Sequence, residues 1–420
     1  MLVLNGNGLD INKFILIAKN KQKVKIAETQ KELVNKARKY VDDVVKNDKV
    51  VYGITTGFGK LSETRINACD VEKLQENLLK SHACTVGNIM NHDVVRGMML
   101  LRVNALIRGN SGIRLVVLEK LIEMLNKDVI PVVFEQGSLG ASGDLAPLSN
   151  MSLPLIGLGE CFYQGVRMDA LEAFKKAQIT PLDSLKAKEG LSLINGTQAM
   201  TSIGAFLVYD AMRLLDIANV SLSLTMEALN SIIDAYDPRV HQVRGQKGQI
   251  MVAKKVNTIL KGSGNITKQG QVRVQDAYSI RCAPQVHGAS LDAFIHAKNI
   301  IEIEMNAVTD NPIIFADEND AISAGNFHGQ PLALIFDYMK TAISEMANIS
   351  ERRLERLVNP QLSEGLPPFL AKNPGTNSGY MIVQYSAASL VSDNKVLAHP
   401  SSVDSITSSA NQEDHVSMGT

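Results

Sequence analysis

Long runs of apolar residues at helical spacing constrain this chain more than any other feature of its sequence. Comparable patterns occur through residues 26–46, 94–126, 199–235, 287–308 and 378–392, whereas runs typical of strands are short and few. Each stripe predicts a helix that buries one face, so the sequence predicts a mainly α fold. The clearest stripe consists of Leu332, Ile335, Met339, Ile343, Met346 and Ile349.

Glycine-rich turns set the first two hundred residues apart from this pattern. Segments such as YGITTGFGK (52–60) and GSLGASGD (137–144) interrupt the helices, and functional sites concentrate where the backbone is irregular. At 420 residues the chain is long enough for two or three domain-sized units. We expect an N-terminal domain of mixed helices over 1–197, which carries both loops, followed by a bundle of long helices over 198–420.

Charge and cysteine content favour a small-molecule partner in the cytoplasm. Lysine plus arginine and aspartate plus glutamate both number 43, so no net charge attracts nucleic acid or an anionic membrane. Neither a signal peptide nor a transmembrane run is expected. The four cysteines form no zinc-binding pattern, which suits a reducing compartment. They are Cys69, Cys84, Cys161 and Cys282.

The segment GSLGASGDLAPL contains no nucleophile beside a base and no metal-binding or phosphate-binding spacing. Asp144 is a good N-cap for a helix that starts directly after it, but a cap does not require the three residues before it. The alternative is backbone condensation, in which the unhindered amide nitrogen of Gly143 attacks the carbonyl carbon of Ala141. Loss of water from the ring and from Ser142 would leave a methylidene electrophile, which no ordinary side chain supplies.

The segment YGITTGFGK is not a nucleotide-binding loop. The pattern G-x-x-x-x-G-K-[ST] requires a glycine where Ile54 stands and a serine or threonine where Leu61 stands, so the spacing excludes ATP binding. Tyr52, at the edge of this segment, is either packed beside a turn or a phenolic acid or base whose pKa its neighbours would have to lower. Taken alone, the segment favours packing.

Two short polar segments have equally ordinary explanations. In NLLKSHACTVG, Ser81 and His82 end a helical pattern, where a lone histidine is more often structural than catalytic. In SANQEDHVSMG, Glu413 falls within what looks like a solvated turn.

The segment VQDAYSIRC contains Gln275, Tyr278 and Arg281, and helical spacing of three predicts that they share one face. A guanidinium group suits bidentate contact with a carboxylate. A surface salt bridge is the alternative.

These segments together resemble one known family. GSLGASGDLAPL is similar to the signature of the aromatic amino acid ammonia-lyases, whose methylidene-imidazolone (MIO) group forms from Ala-Ser-Gly. VYGITTGFG, LQENLLKSHA, KEGLSLINGTQ, VQDAYSIRC, NAVTDNP, GNFHGQP and HPSSVDSITSSANQEDHVSMG resemble family blocks in the expected order, over nearly the whole chain. The resemblance implies an aspartase/fumarase-like helical fold and a homotetramer with shared active sites. It also implies MIO formed autocatalytically from Ala141, Ser142 and Gly143, with no metal and no external cofactor.

The resemblance further implies roles for the candidate residues. Tyr52 would take the β-proton of the substrate, Tyr278 would assist proton transfer, and Arg281 would hold the substrate carboxylate in a fixed orientation. Hydrogen bonds around the electrophile and the substrate would come from Asn195 and Gln275, and an apolar contact near the electrophile from Phe327.

Two positions indicate the substrate within the family. Ser81 and His82 look like the pair of the histidine-specific members, whereas phenylalanine lyases typically carry an apolar pair and some tyrosine lyases use histidine to meet the phenol. Glu413 also resembles the histidine enzymes, since phenylalanine lyases tend to have glutamine there. His82 and Glu413 would address an imidazole ring, and buried polar pairing discriminates strongly against a phenyl ring. The expected reaction is loss of ammonia from L-histidine to give trans-urocanate.

Two alternatives to this reaction stay open. A tyrosine or phenylalanine ammonia-lyase, or an aminomutase, would use the same electrophile. The chain also stops seven residues beyond Glu413, where members of the family usually continue into further helices. The non-enzymatic alternative is therefore an inactive, truncated helical assembly subunit in which residues 141–143 stay uncyclised.

Overall fold

The computed structural model describes residues 1–59, 63–67 and 70–419, so Leu61 and Cys69 lie outside the described residues. Over these ranges the chain is mainly α-helical, as the apolar periodicity predicts, and its strands are short. None of the described helices is both long enough and apolar enough to cross a lipid bilayer.

The first half of the chain contains helices of short and medium length. The stripe over 94–126 forms two helices rather than the one that its periodicity indicates. The chain turns at Gly109 and Gly112, whose φ angles of +79° and +72° are conformations that residues with a side chain rarely adopt. The helices are α1 (Ile11–Ala18), α2 (Glu28–Lys46), α3 (Val71–His82), α4 (His92–Leu106), α5 (Leu115–Lys127), α6 (Leu145–Ser152), α7 (Ala170–Ala177) and α8 (Glu189–Ile194).

The longest helices among the described residues follow from residue 198 onwards, together with some short ones. The stripe over 332–349 is core, as predicted, because its members are buried apart from Ile343, which is half-buried. The helices are α9 (Gln198–Ala228), α10 (Pro238–Arg244), α11 (Lys247–Ile259), α12 (Tyr278–Arg281), α13 (Ala283–Glu304), α14 (Gln330–Val358) and α15 (Met381–Leu397).

The strands form small separate sheets. β1 (Leu2–Leu4) pairs with β2 (Val24–Ile26) in parallel, and the other pairs of named strands within the described residues are antiparallel. Residues 86–89 pair with residues 134–136, which brings Gly137 beside the segment that follows α3, where a Cβ on this glycine would lie 2.9 Å from the Cα of Thr85. The other strands are β3 (Val86–Ile89), β4 (Ile130–Pro131), β5 (Phe134–Gln136), β6 (Glu160–Tyr163), β7 (Val166–Asp169), β8 (Ile313–Phe315) and β9 (Asp320–Ile322).

The chain divides into two compact units. The first unit comprises residues 1–206, 299–334 and 401–420, and the second comprises 207–298 and 335–400. This grouping differs from a single division at residue 197, because two later segments of the chain pack with the N-terminal part. Both glycine-rich loops belong to the first unit, whereas α12 belongs to the second.

Buried ion pairs hold the start of α8 within the first unit. Lys188 Nζ lies 2.8 Å from Asp310 Oδ2, and both side chains are almost completely buried. The carboxylate of Glu189, also buried, accepts hydrogen bonds from Arg114 Nε at 2.6 Å and Arg114 Nη2 at 2.8 Å. Burial lowers the pKa of Lys188, and the nearby Asp310 opposes that shift. Each of these buried charges has a partner of opposite charge, which offsets the cost of removing it from water. These pairs fix the position of α8, which leads directly into Asn195.

Candidate active site

A cavity of about 870 Å³ in the first unit brings together most of the predicted site residues. They come from separate loops and helix ends that lie far apart in the sequence. A concave site with a few convergent polar groups is the usual form of a small-molecule site. The predicted residues that line it are Tyr52, Ser81, His82, Ser142, Asn195, Phe327 and Glu413.

The turn at Ser142 and Gly143 lies at the edge of this cavity. Ser142 has φ +56° and Gly143 has φ +80°, so two consecutive residues adopt left-handed conformations. A Cβ on Gly143 would lie 2.3 Å from the carbonyl oxygen of Gly196, which leaves no room for a side chain. The same carbonyl accepts a hydrogen bond of 2.7 Å from the amide of Asp144. The turn is therefore pressed tightly against the chain that follows α8.

The carboxylate of Asp144 differs from its predicted role. Helix α6 begins at Leu145 as expected, but the Asp144 side chain makes no cap hydrogen bond to that helix. Its Oδ2 instead accepts from the amides of Ala199 and Met200, at 2.8 and 2.9 Å, in the first turn of α9. The predicted cap was wrong in its target, because a more distant helix offers unpaired amides and a favourable dipole to this buried carboxylate.

Asn195 connects the turn to the cavity. Its Nδ2 donates to the carbonyl oxygen of Ser142 at 3.1 Å. Its Oδ1 is buried and accepts no hydrogen bond from any residue that the structure describes. An unpaired buried acceptor costs about 1–3 kcal/mol, and a ligand donor would remove that cost. Asn195 is therefore suited to hold both the turn and a bound molecule.

Tyr52 is half-buried in the cavity wall, and its environment works against ionisation. Burial raises the pKa of the Tyr52 phenol, a hydrogen bond with the backbone of Gly59 lowers it, and the nearby Glu413 carboxylate raises it further. The net shift is upward, so the described neighbours do not activate this tyrosine as a base. Glu413 itself approaches the same loop, since its Oε1 lies 3.4 Å from where a Cβ on Gly59 would be.

The last turn of α3 fixes the proton arrangement of His82. Ser81 Oγ lies 3.2 Å from the carbonyl oxygen of Leu78 and 3.0 Å from His82 Nδ1. Because a carbonyl oxygen can only accept, we assign the Ser81 hydroxyl as donor to Leu78 and as acceptor from His82 Nδ1–H. Burial lowers the pKa of His82, so the ring is neutral near neutral pH. Its Nε2 then carries a lone pair and accepts hydrogen bonds.

Ala141 and Gly143 are not among the lining residues, although Ser142 between them is. Three further predicted residues lie away from this cavity altogether. Gln275, Tyr278 and Arg281 belong to the second unit and are absent from the lining that the structure describes. Because α12 begins at Tyr278, Gln275 precedes the helix and the predicted shared face holds only for the other two. The guanidinium carbon of Arg281 lies 4.4 Å from the centre of the Tyr278 ring, a cation–π contact in place of the surface salt bridge considered as its alternative.

A buried arginine that the sequence did not reveal, Arg102, packs against the Asn195–Gly196 segment. Arg102 donates to the carbonyl oxygen of Thr309 and to Gln198 Oε1, both at 3.0 Å. Burial lowers the pKa of Arg102 to about 10. A Cβ on Gly196 would lie 2.4 Å from Arg102 Nη1, so only glycine fits there. An arginine inside the apolar run MMLLRVNAL of α4 was the available signal, because a buried cation demands several acceptors.

Comparisons with known proteins agree on one family. The aromatic amino acid lyase family matches residues 9–420. A histidine ammonia-lyase from Alkaliphilus oremlandii is 59% identical over 419 residues, which cover 100% of this chain and 82% of that protein. The crystal structure of histidine ammonia-lyase from Trypanosoma cruzi matches with a TM-score of 0.91 at 41% identity, covering 100% of this chain and 78% of that one. Pantoea agglomerans phenylalanine aminomutase matches with a TM-score of 0.96 at 32% identity, covering 100% and 85%.

Proposed function

The chain is a carbon–nitrogen lyase of the aromatic amino acid lyase family, and from this premise we propose that it converts L-histidine into trans-urocanate and ammonia. The observation that carries the choice of substrate is that His82 and Glu413, two side chains able to accept hydrogen bonds, line the same cavity. Relatives that are named histidine ammonia-lyase at 54–59% identity support the same choice.

An imidazole ring complements these acceptors better than a phenyl ring does. It carries an N–H donor in the plane of the ring, whereas a phenyl ring offers no donor to His82 Nε2 or to Glu413. Sites built to hydrogen-bond a substrate group reject analogues that lack it by large factors. Ser81 contributes indirectly, because its contact with Nδ1 keeps the lone pair of His82 on Nε2.

We assign Ala141, Ser142 and Gly143 as the source of MIO. Cyclisation forms a bond from Gly143 N to the carbonyl carbon of Ala141, and that oxygen leaves as water with the amide hydrogens of Ser142 and Gly143. The Ser142 hydroxyl leaves as a second water with its own α-hydrogen. The fit rests on the left-handed turn at Ser142 and Gly143 and on the lack of space for a Cβ at Gly143. When formed, MIO supplies the electrophile that the twenty ordinary side chains lack.

The remaining roles belong to ordinary side chains. Asn195 holds the turn through Ser142 O and offers its free Oδ1 to a donor on the bound substrate. Phe327 lies beside the turn, since its carbonyl oxygen lies 3.1 Å from where a Cβ on Gly143 would be. Tyr52 takes the β-proton of the substrate, and Arg281 binds the carboxylate through its planar guanidinium. Tyr278 assists proton transfer, and Gln275 adds a polar contact to the substrate.

Exposed side chains of the second unit support assembly into a homotetramer in which another copy supplies α12 to the cavity. Tyr278 is 71% exposed although it is a large aromatic residue. No residue of α15 is buried, and its Leu390 and Leu397 are 64% and 72% exposed. Large apolar side chains exposed in this way are typical of subunit interfaces when they cluster. Three described cysteines are free thiols, which is consistent with the cytoplasm as the proposed location.

Turnover of separate amino acids tests this proposal. We expect L-histidine to give trans-urocanate. We also expect the intact mass of the protein to lie two waters below the mass calculated from its sequence. If the main product is cinnamate from phenylalanine or coumarate from tyrosine, the assignment of histidine as the substrate is wrong. A β-amino acid as product would instead identify an aminomutase, and an intact mass without loss of water would remove the electrophile from the mechanism.

Replacement of His82 by leucine tests the selection of the ring. We expect kcat/KM for histidine to fall by at least about 10-fold, because the hydrogen bond between His82 and the substrate ring is lost. We expect phenylalanine turnover to stay level or rise. The matched control is His92→Leu, which removes a histidine that packs against Phe162. An equal loss for both substrates would show that His82 supports the fold and does not select the ring.

A further inference from the structure

Buried polar side chains hold the backbone of α12 within the second unit. Tyr236 is completely buried, and its hydroxyl donates to the carbonyl oxygen of Ile280 at 2.6 Å. Arg353, which is 2% exposed, donates from Nη1 to the carbonyl oxygen of Ser279 at 3.2 Å. Two successive carbonyl groups of this short helix are therefore fixed by side chains from distant parts of the sequence.

A buried histidine extends this arrangement. His287 Nε2 lies 3.3 Å from Arg353 Nη2, and His287 Nδ1 lies 2.8 Å from Asn219 Oδ1. Because a guanidinium can only donate, Nε2 accepts from Arg353 and Nδ1–H donates to Asn219. Burial and the charge of Arg353 lower the pKa of His287 to about 3. The ring is therefore neutral at physiological pH, and its two nitrogen atoms fill one donor and one acceptor role.

Asp276 fixes the residue that precedes α12 by two positions. Its Oδ2 accepts from the amide of Ile232 at 2.7 Å, and its Oδ1 accepts from Arg273 Nε at 2.7 Å. Tyr278, between Asp276 and Ser279, is largely exposed, and the guanidinium of Arg281 lies over its ring. The segment is thus attached through its buried residues, while Tyr278 is exposed and Arg281 is half-buried.

Packing alone does not explain why a cation is buried here. The acceptors of Arg353 among the described residues are a carbonyl oxygen and an imidazole nitrogen, with no carboxylate to offset desolvation. Burial lowers the pKa of Arg353 to about 10. An apolar side chain of similar volume would fill this space at lower cost. A guanidinium differs from an apolar side chain because its N–H donors point at fixed angles, and here they bind two separate groups.

We propose that Tyr236, His287 and Arg353 are positioning residues for substrate binding: through the carbonyl groups of Ser279 and Ile280 they hold Arg281 where it meets the substrate carboxylate. This inference rests on the proposed function, which gives Arg281 its contact with that carboxylate. The three residues act on the backbone of α12 and do not touch the substrate.

Tyr236→Phe tests this proposal by removing a single hydroxyl from the network that Tyr236, His287 and Arg353 form with α12. Two competitive inhibitors are compared in the intact wild-type and variant enzymes, imidazolepropionate, which has a carboxylate, and 4-ethylimidazole, which has none. We expect the inhibition constant of imidazolepropionate to rise about five-fold, the worth of one hydrogen bond, with no change for 4-ethylimidazole. In an Arg281→Gln background, Tyr236→Phe should add nothing, because both changes act on the same contact.

Ser290→Ala is the matched control, since it removes another buried hydroxyl of the second unit that donates to a carbonyl oxygen, that of Ala342 at 3.0 Å. It should leave both inhibition constants unchanged. If Tyr236→Phe weakens both inhibitors equally, weakens neither, or adds its effect fully to Arg281→Gln, the network is structural and the proposal is overturned. Arg353→Lys replaces Tyr236→Phe if that variant does not fold. A wild-type enzyme that makes no urocanate would refute the proposed function separately.

Discussion

Replacement of Ser142 by alanine is expected to abolish turnover of histidine while the protein stays folded. The serine hydroxyl is the group that leaves with the α-hydrogen, and alanine has no leaving oxygen, so the methylidene carbon cannot form. Enzymes accelerate reactions by at least about 10⁶-fold, and we expect kcat to fall by at least about 10³-fold when the only strong electrophile is removed. Intact mass should show a loss of two waters in the wild type and of one at most in the variant.

The fold should tolerate this change because the contacts that hold the turn are made by other groups. Asn195 binds the backbone carbonyl of Ser142, and Asp144 binds α9 through its own side chain. Alanine meets the same strain as serine at φ +56°, so the free energy of unfolding should change by roughly 0.5 kcal/mol or less. Ser152→Ala, which removes a buried hydroxyl from α6, serves as the control. Near-normal turnover by Ser142→Ala would contradict the mechanism.

Features that depend on neighbours along the chain could be predicted from the sequence. Apolar periodicity is local, so it located the long helices and the buried stripe that begins at Leu332. The small residues at 141–143 pointed to a special turn, and the structure has one at Ser142 and Gly143. The interruption of the 94–126 stripe was missed, although Gly109 and Gly112 mark it, because an apolar pattern continues on both sides.

Features that depend on distant partners could not be read from the sequence. Asp144 follows the rule that aspartate caps a helix, but the amides it binds lie 55 and 56 residues further along the chain. Lys188 and Asp310 are 122 residues apart, and nothing local indicates that they form a buried pair. The direction of the Tyr52 pKa shift has the same origin, since it depends on burial and on Glu413 at the far end of the sequence.

Replacement of Tyr52 by phenylalanine is expected to lower kcat by about 10²–10⁴-fold, the range for loss of a general base. The change removes one oxygen atom and keeps the ring that fills the cavity wall, so KM and the affinity for imidazolepropionate should stay within a few-fold of the wild type. Tyr40→Phe is the matched control, because Tyr40 is another half-buried tyrosine of the first unit that packs against a buried apolar cluster. It should leave kcat unchanged.

The pH dependence separates a base from a residue that only orients the substrate. Burial and Glu413 raise the pKa of Tyr52 above its ordinary value, so the phenol is protonated near neutral pH and its ionised fraction grows as pH rises towards that pKa. A base must be ionised to accept the β-proton, and turnover by the wild type should therefore increase on the alkaline side. The Tyr52→Phe variant should lack this increase, since it has no group to ionise. If the variant retains full turnover, or the same alkaline increase, Tyr52 supports the cavity wall and another group takes the proton.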